Sequence, residues 1–218
     1  MINKKDKKQF SILYSPFSII LWDFDGVILD SMSIKTEGFR ELFKNYDNKL
    51  VEKFIEFHLQ NGGMPRFEKI KYFYNNLLGE NITNEKVNEL AETYGKIIEK
   101  KLFNKNNLIE DSVNFIKNNY KNYDCHIVSG AEHNELNKLC KFLEIDKYFI
   151  SINGSPTLKK DLIKNLIKKY NYDNKKMCLI GDSINDYKAA RENGIVFFGY
   201  NNKIIKNICD DYIERFSV

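Results

Sequence analysis

The 218-residue sequence predicts an α/β protein, a doubly wound parallel sheet interrupted by an all-helical insertion. Three observations carry that expectation. From Leu108 onward, short apolar runs alternate with stretches of helical periodicity, the pattern of parallel strands joined by helical crossovers. Residues 33–104, by contrast, hold only helical patterns, in a block about as long as a small four-helix unit. Ahead of that block, the apolar run 17–22 is too short to cross a bilayer and ends in Asp23-Phe24-Asp25-Gly26. It reads as a buried strand. The core is then expected to comprise 1–32 and 105–218, with 33–104 as a helical cap.

Each element follows from its local pattern. In extended backbone, residues two apart face the same side, so Asp23 and Asp25 are expected to share a cavity. Like charges there call for a cation, and Gly26 lets the chain turn sharply. In the insertion Ile34, Phe39, Leu42 and Phe43 recur at helical spacing, and further helical segments fall near 49–60, 66–78 and 84–103. Between 49–60 and 66–78 lies the loop Asn61-Gly62-Gly63-Met64-Pro65-Arg66. Downstream, 111–120 reads as a helix, 125–130 as a strand ending in Ser129-Gly130, and 132–143 as a helix. Residues 148–152 read as a strand and 154–170 as a loop and helix. The strand 177–180 runs into Gly181-Asp182-Ser183, the helix 184–192 stops at Asn193-Gly194, and 195–198 gives a further strand. Ligands of such sheets bind at the carboxyl ends of the strands. Asp23, Ser129 and Asp182 all fall on that edge.

Composition narrows the function classes. Thirty-four basic and 30 acidic residues are interspersed and leave a net charge of +4, a weak argument for nucleic acid. The 13 tyrosines and 16 phenylalanines are not grouped with basic residues as a stacking groove requires, so no nucleic-acid partner is expected. Lys4-Lys5-Asp6-Lys7-Lys8 reads as a solvated terminus, and Ile12-Leu13-Tyr14 is expected to pack on the domain edge. No run reaches transmembrane length and no signal-peptide pattern is present, so no membrane partner is expected. Four cysteines, Cys125, Cys140, Cys178 and Cys209, are widely spaced without a CxxC pair, and Cys125 and Cys178 sit in strand-like runs. Buried free thiols and a cytoplasmic location are the expectation.

Four stretches in order resemble the motifs of haloacid dehalogenase-like hydrolases: DFDGVILDS from Asp23, VSG ending at Gly130, GSPTLKKD from Gly154 and GDSINDYKAA from Gly181. The helical insertion resembles the small cap of the phosphoglycolate phosphatase and β-phosphoglucomutase branch, and the resemblance spans roughly 19–200. It implies a Mg²⁺-dependent enzyme working through an aspartyl-phosphate. Asp23 is suited to attack, and Asp25 would protonate the leaving alkoxide and then activate water. Asp23 and Asp182 form the natural carboxylate pair for Mg²⁺, and the family adds the backbone carbonyl of Asp25. The second aspartate marks the members that process phosphate rather than dehalogenate.

Other positions carry two readings each. Ser129 and Gly130 are expected to bind phosphate through hydroxyl and N–H groups; the alternative is that Ser129 caps the helix beginning near Glu132. Ser155-Pro156 reads as the start of a helix whose apolar stripe is Leu158, Leu162, Ile163, Leu166 and Ile167. Lys159 falls within that stripe, while Lys160 lies with Lys164 and Lys168 on the polar face, so Lys159 is the phosphate-binding candidate. Asp186, three residues after Ser183, reads as a helix cap, and the resemblance implies a second role supporting the metal ligands. Asp30 and Ser31 read as capping residues. Arg66 resembles the branch's cap-loop arginine and is the substrate-binding candidate, for a carboxylate or second phosphate; its alternative is a solvated helix start. His58, His126 and His133 lack metal-ligand spacing and read as structural.

The expected activity is hydrolysis of a small phosphorylated metabolite, a sugar phosphate or a glycan precursor. The nearest alternative is a phosphoglucomutase-type phosphotransferase on the same residues. A non-catalytic binding module is disfavoured because every side chain the chemistry needs is present.

Overall fold

The computed structural model describes residues 16–216; the basic run and Ile12-Leu13-Tyr14 lie outside the described residues. The chain begins with β1 (Ile19–Trp22), whose four residues are all buried. An insertion of α1 (Met32–Leu42), α2 (Asn48–Gln60), α3 (Arg66–Tyr72), a π-helical turn (Phe73–Leu78) and α4 (Asn84–Leu102) follows. Next come α5 (Glu110–Asn119), β2 (Asp124–Glu132), α6 (His133–Phe142), β3 (Ser151–Ser155) and α7 (Lys159–Tyr170). The chain closes with β4 (Met177–Gly181), α8 (Ile184–Glu192), β5 (Val196–Tyr200) and β6 (Asp211–Ile213).

The six strands form one parallel sheet in the order β3-β2-β1-β4-β5-β6. Strand alternation divides the core between two faces. Ile20 and Trp22 join the cluster that also holds the insertion helices, whereas Ile19 and Leu21 join Leu162, Ile163 and Leu166 of α7. Trp22 is level with Ile127 of β2 and Ile180 of β4. The residues that follow these three therefore emerge together at the carboxyl edge, where the strand order reverses and ligands of open sheets bind.

The insertion helices pack on one another through aromatic rings. Phe43 stacks on Phe73 at 3.8 Å between centroids, and Phe39 on Tyr94 at 4.2 Å. Their starts are set locally: Asp47 accepts from the N–H groups of Lys49 and Leu50, and Thr83 from that of Lys86.

Three local expectations are corrected. β3 begins at Ser151 rather than 148, because a 3₁₀ turn (Asp146–Tyr148) packs Tyr148 against Tyr120 first. α7 begins at Lys159 rather than Pro156. Ser155 ends β3, where its hydroxyl donates to Ala131 O at 3.1 Å, and the Ser155-Pro156 bond is cis. Leu158 consequently sits outside the helix and is 40% exposed instead of joining the stripe. Ser31 holds the N-cap position of α1 but makes no capping hydrogen bond. β6 was not anticipated, since only Ile213 of its three residues is buried. All four cysteines are free, Cys125, Cys140 and Cys178 buried and Cys209 partly so. Among the described residues no helix is long and apolar enough to cross a membrane.

Candidate active site

β1 and β4 deliver the first two carboxylates. Asp23 continues the strand ladder, its N–H donating to Ile180 O at 2.9 Å, and Asp182 follows the last residue of β4. Asp186, on the first turn of α8, completes a cluster in which one oxygen from each carboxylate lies within 4.8 Å of the others. Gly26, at φ +78°, closes the turn after Asp25; a Cβ there would overlap the Asp182 carboxylate, so only glycine admits this approach.

The cluster is short of positive charge. Lys159, 5% exposed, places Nζ 2.6 Å from Asp23 Oδ1 and also pairs with Asp186. The contact to Asp23 is an ion pair, and among the described residues both Asp23 oxygens are otherwise buried without a hydrogen bond. Burial, with Asp186 close by, pushes the Asp23 carboxyl up from 3.8 to about 7 against the opposing pull of Lys159. Asp182 is also raised well above its ordinary value, by burial and then by Asp23. Burial alone would lower the pKa of Lys159, but Asp186 and Asp23 raise it. Orphaned carboxylate oxygens crowded around one lysine fit a hard divalent cation. Asp186 is otherwise committed: it accepts from Ser183 N at 3.0 Å and Ser183 Oγ at 2.7 Å, closing a capping box on α8.

Asp25 has a separate environment. Ser31 Oγ donates to its Oδ1 at 2.6 Å, and the Lys35 ammonium pairs with its Oδ2. Burial opposes ionisation, yet Lys35 and Ser31 together hold this carboxyl below its ordinary value. Ser31 and Lys35 are four apart on the first turns of α1 and so share a face. That spacing was the available signal; the sequence reading assigned Ser31 to capping and did not single out Lys35.

Ser129 is fully buried near the end of β2, and its Oγ accepts from Ala131 N at 3.1 Å. It does not cap α6. Glu132 does, accepting from the N–H groups of Asn134 at 3.0 Å and Glu135 at 2.8 Å. Gly130 lies against the insertion: a Cβ there would overlap Gly63 O. Asn185 Nδ2 of α8 donates to Gly62 O at 2.7 Å, so the 61–66 loop rests on the core beside the carboxylates.

Arg66 is 6% exposed, which excludes the solvated reading. Its Nη1 donates to Glu135 Oε2 at 3.0 Å, its Nη2 pairs with Glu135 Oε1, and its guanidinium lies 4.8 Å from the Tyr94 ring centroid. Burial disfavours the charged guanidinium, but Glu135 more than compensates and raises its pKa. Arg66 lines two cavities. The larger, about 520 Å³, runs past Phe67, Glu92, Glu99 and Lys138 and touches none of Asp23, Asp25, Lys159 or Asp182. The smaller, about 40 Å³, reaches Asp25 and Gly130 and is the one joined to the chemistry.

Residues 20–200 match the sequence profile of haloacid dehalogenase-like hydrolases. The chain belongs to this family. Three solved structures show the same fold at low identity. A predicted phosphoglycolate phosphatase from Haemophilus somnus is 16% identical, with 93% of this chain and 96% of that chain covered and a TM-score of 0.70. β-Phosphoglucomutase from Clostridium difficile is 16% identical, with 92% of each chain covered and a TM-score of 0.72. CbbY from Rhodobacter sphaeroides, a mutant in complex with xylulose-1,5-bisphosphate, is 14% identical, with 92% and 95% covered and a TM-score of 0.72. No curated protein sequence matches at a significant level.

In this haloacid dehalogenase-like hydrolase, then, Asp23 and Asp182 meet at the sheet edge, and Lys159 from α7 and Asp186 from α8 join them in one cluster. Lys160 points away, half-exposed and 3.2 Å from Glu192. Lys69 was missed altogether: it is buried on α3, with Nζ 2.8 Å from His58 Nδ1, in the cavity that holds Asp25.

Proposed function

We propose that this hydrolase is a Mg²⁺-dependent phosphomonoester phosphatase that works through an aspartyl-phosphate on Asp23. The observation that carries the reading is the Asp23 carboxylate, buried, without a hydrogen bond, and set between Lys159 and Asp182. A nucleophile needs a free oxygen and a means of approaching an anion.

The carboxylates of Asp23 and Asp182, with the Asp25 backbone carbonyl, would hold the cation. When bound, it supplies positive charge to the phosphoryl oxygens and the attacking carboxylate. Lys159 and the Ser129 and Gly130 groups take the remaining phosphoryl charge. Asp23 attacks phosphorus, the bond from phosphorus to the leaving oxygen breaks, and Asp25 gives that oxygen a proton. In the second half, Asp25 takes a proton from water as the water attacks the acyl phosphate, and inorganic phosphate leaves. The Lys35 and Ser31 contacts favour ionised Asp25, the form the second half needs. Asp186 acts indirectly, by fixing Lys159 and Ser183.

The substrate is a small phosphorylated metabolite, a sugar phosphate or glycan precursor, with Arg66 facing its leaving group from the cap loop. The four free thiols suit a reducing compartment such as the cytoplasm. A screen of phosphorylated metabolites tests the reading: phosphate release should exceed isomer formation, depend on Mg²⁺, and vanish in Asp23→Asn. Isomer formation in excess of phosphate would make the enzyme a mutase instead.

A further inference from the structure

The 40 Å³ cavity beside Asp25 is lined by three cationic side chains, Lys35, Arg66 and Lys69, and by one carboxylate, Asp25. Two of those cations have anionic partners: Lys35 pairs with Asp25, and Arg66 with Glu135. Lys69 has none. It is 4% exposed, and among the described residues its hydrogen-bond partners are both on His58, Nδ1 at 2.8 Å and O at 3.3 Å.

The way Lys69 is held indicates its use. Thr36 Oγ1 donates to Met32 O at 2.8 Å, which leaves its oxygen to accept from His58 Nε2 at 3.1 Å. The imidazole proton is thereby assigned to Nε2, and Nδ1 must accept from Lys69. His58 is fully buried, and its pKa, lowered by burial and by Lys69 to about 3, keeps it neutral. A neutral histidine therefore anchors two of the three ammonium donors and supplies no charge. The third donor, on a buried lysine lining the cavity, is left for a ligand. Burying a cation without a counter-charge costs stability, so such an arrangement points to an anion that arrives from outside.

We propose that Lys69, anchored by His58, is an anion-recognition residue for the leaving group, so that the preferred substrates are small phosphomonoesters carrying a second anionic group. This rests on the phosphatase reading for its substrate but not for its test. The second anion is a carboxylate or a second phosphate, and both would meet the same ammonium. Lys69 is a positioning and specificity residue, since the phosphoryl group itself is met by the Asp23 cluster. The small cavity limits the leaving group to a few heavy atoms unless the 61–66 loop lifts.

Calorimetric titration in Mg²⁺ buffer tests this without turnover, using ethylphosphonate, phosphonoacetate and ethylene bisphosphonate as probes. Phosphate release from p-nitrophenyl phosphate, measured separately, bears on the phosphatase reading alone. The wild type should bind at least one of the two probes that carry a second anion about ten- to a hundredfold more tightly than ethylphosphonate, the range of a charge-assisted hydrogen bond. The probe that gains says whether carboxylate or phosphate is preferred. In Lys69→Met the preference should fall below about threefold, and Lys69→Arg should restore part of it. Lys69→Gln, which keeps a donor for His58, gives the same reading if the methionine variant does not fold. No preference in the wild type, or an undiminished preference in the uncharged variant, overturns the proposal.

Discussion

Lys159 Nζ stands 2.6 Å from Asp23 Oδ1, and the same ammonium pairs with Asp186. One buried lysine thus carries the charge balance for two buried carboxylates. Removing it leaves both uncompensated, which typically costs about 3–5 kcal/mol. Lys159→Ala should accordingly lower stability by that order in urea unfolding and cut phosphate release by orders of magnitude. Lys160→Ala should stay within about 0.5 kcal/mol and keep its activity, since its partner Glu192 is mostly solvated. The reverse pattern would place the wrong lysine at the phosphate.

Asp23→Asn removes the attacking charge while keeping shape. Turnover of p-nitrophenyl phosphate should fall by about a thousandfold or more. Circular dichroism should be unchanged and the melting temperature no lower, because a buried carboxylate without hydrogen bonds has been neutralised. Near-normal turnover in this variant would remove the covalent intermediate.

Metal dependence follows from the same crowding. Chelation should abolish activity, added Mg²⁺ should restore it, and Mg²⁺ should raise the melting temperature by mass action on the folded state. Asp182→Ala should shift the Mg²⁺ requirement sharply upward or abolish activity. Full turnover in EDTA is the outcome that excludes the cation.

Much of this was legible in the sequence. Each central strand reads as an apolar run closed by a small or acidic residue, so the edge bearing Asp23, Ser129 and Asp182 could be placed before any contact was known. The inward phase of Lys159 also survived a wrong helix start. Leu162, Ile163 and Leu166 set that phase, and all three are buried. The start itself was misread because Ser-Pro ordinarily announces a helix, while here the Ser155 hydroxyl is taken by Ala131 O across the sheet. Lys69, and Lys35 apart from its four-residue spacing from Ser31, were hidden for a different reason. Periodicity shows lysines within α1 and α3, but which polar face meets the sheet edge is decided by how the insertion docks.

Lys69 should leave a mark on the pH dependence of stability. Burial first, then Lys35, lowers its pKa from 10.5 to about 7, while Asp25 and Asp182 act weakly in the other direction. The unfolded chain therefore binds more protons than the folded chain between about pH 7 and pH 10, and this group's contribution to stability rises with pH across that window. Below pH 7 its burial cost is felt in full. Lys69→Met should be more stable than wild type near pH 6, with the gap narrowing as pH approaches 10. A pH-independent gap in urea unfolding would mean that Lys69 is not charged differently in the two states.

The contact between Gly130 and Gly63 makes the last prediction. Gly130, two residues before the end of β2, lies against the carbonyl of Gly63, and a Cβ at Gly130 would overlap that oxygen. Because the obstacle is backbone and not the end of a flexible side chain, the 61–66 loop must lift to make room. Lifting it also strains the Asn185 hydrogen bond to Gly62 O and the Arg66 pairing with Glu135. Gly130→Ala should therefore leave the sheet folded while opening the cavity that holds Asp25. Since two contacts between the insertion and the core depend on the same loop, Gly130→Ala and Glu135→Ala should couple by about 0.5–3 kcal/mol in a double-mutant cycle on kcat/KM. A substrate filling the closed cavity should lose more kcat/KM than p-nitrophenyl phosphate does. Equal losses on both substrates would instead mean that Gly130 acts on the phosphoryl group they share, through its N–H, and not on loop closure.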